Sequence, residues 1–317
     1  MSNIIQANTN NTKILVTGAA GNVGSIGPII IETLLSQGYS VRAFVRKQDK
    51  RSDALQALGA EIFIGDLTNS IDVVKAVEGC NRIYFSMSVS EYYLEASLIM
   101  AAAAREQGNI EVLVNISQMT VSQMSLSKMT NSRQQRLHYL SEQAFNWSGV
   151  PIVHLRPTVF MDGPFFTRWA ADSILKSSEL RLPFGKGRSS PIAAQDVAAV
   201  ASVILSNPSS HIGKIYDLTG PVAQDFNAIA GIYSEALDKE IKYVDVPFDE
   251  WIEQVLGTTR LPAHTANHLR EMAHLHSQNR YDRQTDLVKK LTGREPTTLQ
   301  MFVRERPQVF QGTGARL

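Results

Sequence analysis

Cysteine is almost missing from the 317-residue chain: Cys80 stands alone, which excludes an intramolecular disulfide framework and a cysteine-based zinc site. That scarcity suits a reducing compartment, and a cytoplasmic setting is expected. Cys80 itself, in the run EGC ahead of a strand, reads as a small buried side chain. An excess of charge is missing too. The 31 lysines and arginines face 30 aspartates and glutamates, a formal net charge of +1, so no nucleic-acid or membrane partner is expected. The first eleven residues, rich in asparagine, have neither a basic start nor an apolar stretch; a disordered tail is expected there rather than a signal or an anchor. Tandem repeats, charge blocks and low-complexity linkers are absent. What remains is 44% hydrophobic and 19% charged, the balance of an ordinary globular protein. Its length holds one large or two moderate domains around a sizeable core.

Against that background the stretch Lys13 to Gly24, KILVTGAAGNVG, stands out. A short apolar run stops at Thr17, and glycines follow at Gly18, Gly21 and Gly24. A buried parallel strand is continuously hydrophobic, and a strand that turns sharply into a helix beneath a phosphate needs residues without a Cβ. Gly18 is expected to permit the turn, Gly21 to let the backbone close on a pyrophosphate, and Gly24 to let the helix pack on the strand. The free N–H groups of the helix N-terminus then meet the anion. The alternative is a plain strand-to-helix turn. The spacing G-x-x-G-x-x-G, rather than G-x-G-x-x-G, is that of extended and atypical short-chain dehydrogenases.

The segment Asn22 to Gln37 has helical periodicity and ends at Gly38, a suitable residue just past a helix end. Ser25 to Pro28 reads like a two- or three-residue insertion, and a kink or a re-started helix is expected there. The second strand, Val41 to Val45, runs into Arg46 and Lys47, where an NAD-selective site would carry a carboxylate. A guanidinium at that place holds a 2′-phosphate through charge-assisted bonds, which points to NADP(H) in preference to NAD(H); the alternative is a pair of solvated charges. A helix follows over Asp53 to Leu58, then a third strand over Glu61 to Ile64. Asp66 sits where it can accept from an adenine amino group with Leu67 against the ring, or where it or Asn69 caps the helix running to Glu78. A fourth strand, Arg82 to Phe85, delivers Ser86 and Met87 to the same edge. Beyond it lie a helix over Glu91 to Gln107, a fifth strand over Glu111 to Ile116, and a loop beginning Ser117, Gln118, Met119, Thr120. A helix over Arg133 to Trp147 and a sixth strand over Ile152 to Leu155 complete the alternation, which argues for βαβ units and a parallel sheet with ligands at the carboxyl ends of the strands.

After Thr158 the pattern loosens. Aromatic residues at Phe160, Phe165, Phe166 and Trp169 form either a shallow substrate surface or the core of a smaller lobe. A strand and turn are expected over Leu182 to Gly187, a helix over Gln195 to Leu205, a strand over Ile215 to Thr219, a helix over Gln224 to Leu237 and a strand over Ile241 to Val246, with helices filling most of the rest. The expected organisation is a tail over 1–11, a nucleotide-binding domain over 12–158 and a smaller α/β lobe over 159–317, interleaved with the first.

With these segments placed, the sequence resembles the NmrA-like family of atypical short-chain dehydrogenases, which includes quinone and azo-type reductases and redox-sensing regulators. The resemblance rests on VTGAAGNVG at the first turn, FVRK after the second strand, GDL after the third, VNISQMT after the fifth, HYLSEQAFNWSGVPIVHLRPTVF across the sixth, and then SSPIAAQDVA and IYDLTGP. It implies a Rossmann fold, a doubly wound parallel sheet with helices on both faces and a smaller C-terminal substrate lobe. It also implies cofactor contacts at Gly18, Gly21, Asn22, Val23, Arg46, Asp66, Leu67, Ser86 and Met87, to which the reading of the residues adds Gly24, Lys47, Ser117, Gln118 and His138.

One departure concerns the chemistry. Extended dehydrogenases place Tyr-x-x-x-Lys on the helix before the sixth strand, so that the lysine lowers the tyrosine pKa and the phenol exchanges a proton with substrate. Anchored on Glu142 and GVPIVHLRP, that register puts Gln134 at the tyrosine position and His138 at the lysine position. Tyr139 points about 100° away. His138 can donate to a ribose hydroxyl or a substrate carbonyl and in its unperturbed state changes charge near neutral pH; the alternative is a structural histidine. Ser117 and Thr120, in the place where relatives carry a catalytic Ser or Thr, can polarise a carbonyl. Without a proton-donating tyrosine, hydride transfer suits an acceptor that stabilises negative charge by itself, such as a quinone, azo or conjugated carbonyl compound. Two functions are therefore expected as alternatives: an NADPH-dependent reductase of a small molecule of that kind, or a non-catalytic sensor that binds NADP(H) and acts through a protein partner.

Overall fold

Ile14, Val16 and Leu15 are buried on opposite sides of one strand, the first two among one set of helices and the third among another. That two-sided burial is the local reason for a sheet covered on both faces. The computed structural model describes residues 12–21 and 26–311. Strands β1 (Lys13–Val16), β2 (Ser40–Val45), β3 (Glu61–Ile64), β4 (Arg82–Phe85), β5 (Val112–Ile116), β6 (Ile152–Pro157) and β9 (Ile215–Leu218) form a sheet in the order β3-β2-β1-β4-β5-β6-β9. Every neighbouring pair runs parallel. The order reverses between β1 and β4, the crevice in which doubly wound sheets receive their ligands.

One face of the sheet is covered by α1 (Ile26–Ser36) and α7 (Ala194–Ser206), through Ile30, Ile31, Leu34, Val197, Ala201 and Ile204. The other is covered by α3 (Ser70–Val77), α4 (Tyr93–Gln107) and α5 (Arg133–Trp147). Alanines on α4 (Ala96, Ala101, Ala103, Ala104) are all buried there. Both α7 and β9 come from beyond Thr158, so the chain returns to the first sheet after leaving it. A smaller lobe carries α6 (Arg168–Ser177), β7 (Glu179–Leu182), β8 (Arg188–Ser189), β10 (Gln224–Asp225), α8 (Phe226–Leu237), β11 (Lys242–Asp245), α9 (Phe248–Trp251), a π-helical turn over Ile252–Leu256 and α10 (Ala263–Ser277). β7 pairs in parallel with β11, and β8 antiparallel with β10.

Several boundaries differ from the sequence reading, each for a local reason. The strand expected over Leu182 to Gly187 lies earlier, at β7, because Ser178 in a left-handed conformation ends α6 at once and Glu179 already pairs with Lys242. The helix expected from Asp53, α2, spans Lys50–Ala57 instead, since Asp49 and Ser52 form a reciprocal capping box. The loop after β5 holds a 3-10 turn over Met119–Gln123. Pro28 lies inside α1. α1 begins at Ile26, so the proline falls in the first turn, where its missing N–H has no helical acceptor to lose. The expected tail and the residues Asn22, Val23, Gly24 and Ser25 lie outside the described residues.

Phe165, Phe166 and Trp169 are interior side chains. Phe165 is fully buried and stacks edge-on with Trp169 at 5.0 Å, and Trp169 meets Trp251 at 5.1 Å. They are the core of the smaller lobe.

Candidate functional site

The glycine turn is tied to the neighbouring strand before any ligand is considered. The Thr17 amide donates to Tyr84 O, and its hydroxyl donates to Ser86 O at 2.8 Å while accepting from the Ser86 amide at 2.8 Å. Gly18 has φ +64°, and a Cβ there would lie 3.0 Å from Ser86 O. The Gly21 amide closes the turn onto Gly18 O at 3.0 Å. Glycine is required at Gly18 by its positive φ and close approach to Ser86, and the bare backbone it leaves at the end of β1 suits a pyrophosphate.

Gly27, read from the sequence only as part of the irregular Ser25 to Pro28 segment, packs the helix on the turn. A Cβ there would meet Gly18 O at 2.8 Å and Ala19 Cα at 2.9 Å. Gly24, expected to let the helix pack on the strand, lies outside the described residues. Arg51 was missed as well: its guanidinium pairs with Asp49 at 2.7 Å and donates to Ala20 O at 2.7 Å, holding α2 to the turn. The run RKQDKR carried that signal as a cluster of cations beside an acid.

Arg46 and Lys47 are exposed directly after β2, one strand from the turn. Asp66 accepts from the Thr68 amide and hydroxyl at 2.9 and 2.8 Å, and these bonds lower its pKa. Asn69, rather than Asp66, caps α3. Leu67 is buried with Phe44 and Val73, and Ser86 and Met87 are half-buried at the end of β4. Cys80 is buried, and desolvation pushes its thiol up to about 11, so it stays protonated and unreactive.

A second group assembles at the carboxyl ends of β4 and β5. Ser117 is buried and its hydroxyl has no hydrogen-bond partner among the described residues, while Thr120 reaches Gln118 Oε1 at 3.4 Å. On α5, Gln134 Nε2 lies 3.2 Å from His138 Nε2, so the residues at the tyrosine and lysine positions touch across one helical turn. Gln134 Oε1 accepts from the Ser90 amide at 3.1 Å and from His264 Nε2 at 2.8 Å. His268 lies one turn along α10 and pairs with Ser132, the cap of α5, at 2.9 Å. The i, i+4 spacing of His264 and His268 was the available sequence signal for this docking.

The His138 ring is packed 4.1 Å from the Tyr93 ring, and its Nδ1 is buried without a partner among the described residues. Desolvation, with a smaller contribution from His268, lowers its pKa to about 3. The change of charge near neutral pH expected for this residue is therefore lost: the imidazole is neutral and can offer a hydrogen bond, not a proton. Tyr93 is no substitute, because its hydroxyl is spent on Ile116 O at 2.9 Å and burial raises its pKa. Below His138 on the same helix, Glu142 is fully buried and bidentate with Arg156 on β6 at 2.9 and 2.5 Å. Removing one member of such a pair strands the other charge. A separate cavity of 270 Å³ in the smaller lobe, lined by Arg168, Trp169, Lys176, Arg181 and Trp251 among others, contains none of these groups. No helix among the described residues is long and apolar enough to cross a membrane.

Comparison with known proteins places these features in a wider set. An NAD(P)H azoreductase of Xenophilus azovorans is 25% identical over 299 residues, covering 94% of this chain and 99% of that protein. The NADPH complex of an NADPH-dependent quinone oxidoreductase from Escherichia coli superposes with a TM-score of 0.80 at 21% identity, covering 92% of this chain and 99% of that one. NmrA, a negative transcriptional regulator solved with NADP, superposes with a TM-score of 0.80 at 18% identity over 96% of this chain and 98% of its own. These two structures share the fold expected from the sequence. The sequence pattern of the NmrA-like family matches residues 10–303, and the chain belongs to that family.

Proposed function

We propose that the protein is an NADPH-dependent reductase that delivers hydride to a small conjugated or electron-poor acceptor, a quinone, azo or carbonyl compound. The nicotinamide nucleotide would be held by the Gly18–Gly21 turn, with Arg46 and Lys47 on the 2′-phosphate side and Asp66, Leu67, Ser86, Met87 and Gln118 along its length. It would supply the hydride when bound. The lobe from residue 159 onward would provide the substrate side.

The observation that carries this reading is that two buried polar atoms have no hydrogen-bond partner among the described residues: Ser117 Oγ, directly after β5, and His138 Nδ1, on the side of α5 that packs against Tyr93. A buried donor without an acceptor costs about 1–3 kcal/mol, a cost that an acceptor oxygen or nitrogen would offset. Because the imidazole is neutral, this chain's groups can steady developing negative charge but not discharge it. That selects acceptors whose own conjugation carries the charge until solvent protonates it. The azoreductase relative, matched over nearly its whole length, supports the same substrate class.

A second reading has an observation of its own. The same lowered His138 pKa and the closed aromatic core of the smaller lobe suit a protein that binds NADP(H) and signals to a protein partner without turnover. NADPH oxidation with a panel of quinones and azo dyes separates the two. The reductase reading expects turnover that falls in His138→Ala while NADPH affinity is kept; tight binding with no turnover on any acceptor would replace it with the sensor.

A further inference from the structure

We infer that Gln134 is a positioning residue that locks His138 in the tautomer carrying its hydrogen on Nδ1, with the Ser90 amide and His264 as the fixed points. Its catalytic meaning rests on the reductase reading above, but the lock itself follows from hydrogen-bond logic alone.

The Ser90 amide can only donate, so the Gln134 side-chain atom 3.1 Å away is the carbonyl oxygen. The same oxygen lies 2.8 Å from His264 Nε2, which must therefore carry a hydrogen. With its oxygen engaged twice, Gln134 turns its NH2 group toward His138 Nε2 at 3.2 Å. An amide NH2 has no lone pair to offer, so Nε2 is the acceptor. A neutral ring then has one place left for its hydrogen, and that is Nδ1, the buried atom without a partner among the described residues. Histidine in water prefers the opposite tautomer.

Ring rotation is no escape. Tyr93 is packed against the imidazole at 4.1 Å and is itself pinned through its hydroxyl to Ile116 O. The other titratable groups facing this arrangement are His268, bonded to Ser132, and the Arg133–Glu91 pair beside His264. None of these reaches Nε2. Thus Gln134, at the position where extended dehydrogenases have their acidic phenol, turns the one available ring hydrogen toward Nδ1.

The test is a two-bond proton–nitrogen correlation spectrum of the nitrogen-labelled full chain at pH 7, with His138→Gln assigning the signal. The expected spectrum has His138 protonated at Nδ1 and bare at Nε2. In Gln134→Glu a carboxylate oxygen faces Nε2, so protonation should move to Nε2; kcat for quinone reduction should fall at least tenfold with KM for NADPH held. His264→Asn, which leaves the Ser90 amide in place, should keep the parent tautomer. A wild-type spectrum with His138 protonated at Nε2, or unchanged in Gln134→Glu, overturns the inference. Absence of turnover in the wild type would sink the reductase reading alone, and the spectrum would still decide the lock.

Discussion

Replacing Gly27 with alanine isolates the contact that seats α1 on the glycine turn. In a helix, Gly→Ala ordinarily stabilises by about 0.5–1 kcal/mol, because the unfolded chain loses freedom it no longer has to surrender. At Gly27 the added methyl would lie 2.8 Å from Gly18 O and 2.9 Å from Ala19 Cα. Both are backbone atoms, so no side chain can swing away, and the helix must retreat by several tenths of an ångström or the turn must deform. Overpacking of this kind costs about 1–3 kcal/mol, so the clash outweighs the entropic gain and a net loss of roughly 0.5–2 kcal/mol is expected. Gly231, inside α8, has nothing within 4 Å of its Cβ position, and alanine there should stabilise by about 0.5–1 kcal/mol. Urea denaturation midpoints of the two variants should therefore move in opposite directions. NADPH titration should show weakened binding for Gly27→Ala only, because the turn it displaces is the proposed pyrophosphate cradle. If Gly27→Ala proved as stable as Gly231→Ala, the close approach of helix and turn would be wrong.

Two further predictions follow from charge. Arg46→Asp should weaken NADPH by roughly 1.5–3 kcal/mol and NADH far less, as measured by fluorescence titration; equal losses would remove the phosphate role from Arg46. Stability should also fall on acidification. Burial holds His154 and His268 at about 4 and His276 at about 3, against an ordinary value of 6.5. A histidine depressed in the folded state binds fewer protons than when unfolded. Its contribution is complete above pH 6.5 and is lost as the pH falls toward the folded value, roughly 1–2 kcal/mol for each by pH 5. Asp162, Asp196 and Asp217, raised by burial, work in the opposite direction, but only near their own lower range. A melting temperature unchanged between pH 8 and pH 5 would show that these imidazoles titrate normally.

What was legible in the sequence was whatever depends on near neighbours. The run ILV followed by a glycine shows a buried strand and a sharp turn because both requirements are local, and α5 was read to its true ends, Arg133 and Trp147, because Ser132 caps one and Gly149 follows the other. What was not legible depends on groups far apart in the chain. Gly27 matters because Gly18 and Ala19 stand behind it, nine and eight residues earlier in the chain. The protonation of His138 is likewise invisible in its own helix. It is decided by Tyr93 on α4, by the Ser90 amide 44 residues upstream of Gln134, and by His264, 130 residues downstream of it. A lone histidine in register with a catalytic lysine reads as a cation substitute; enclosed by these groups it is a neutral ring with one fixed hydrogen. The substitution of Gln134 and His138 for a phenol and an amine is therefore a change in the kind of chemistry on offer, from proton transfer to the orientation of a hydrogen bond, and under the proposed reductase reading it would narrow the acceptors accordingly.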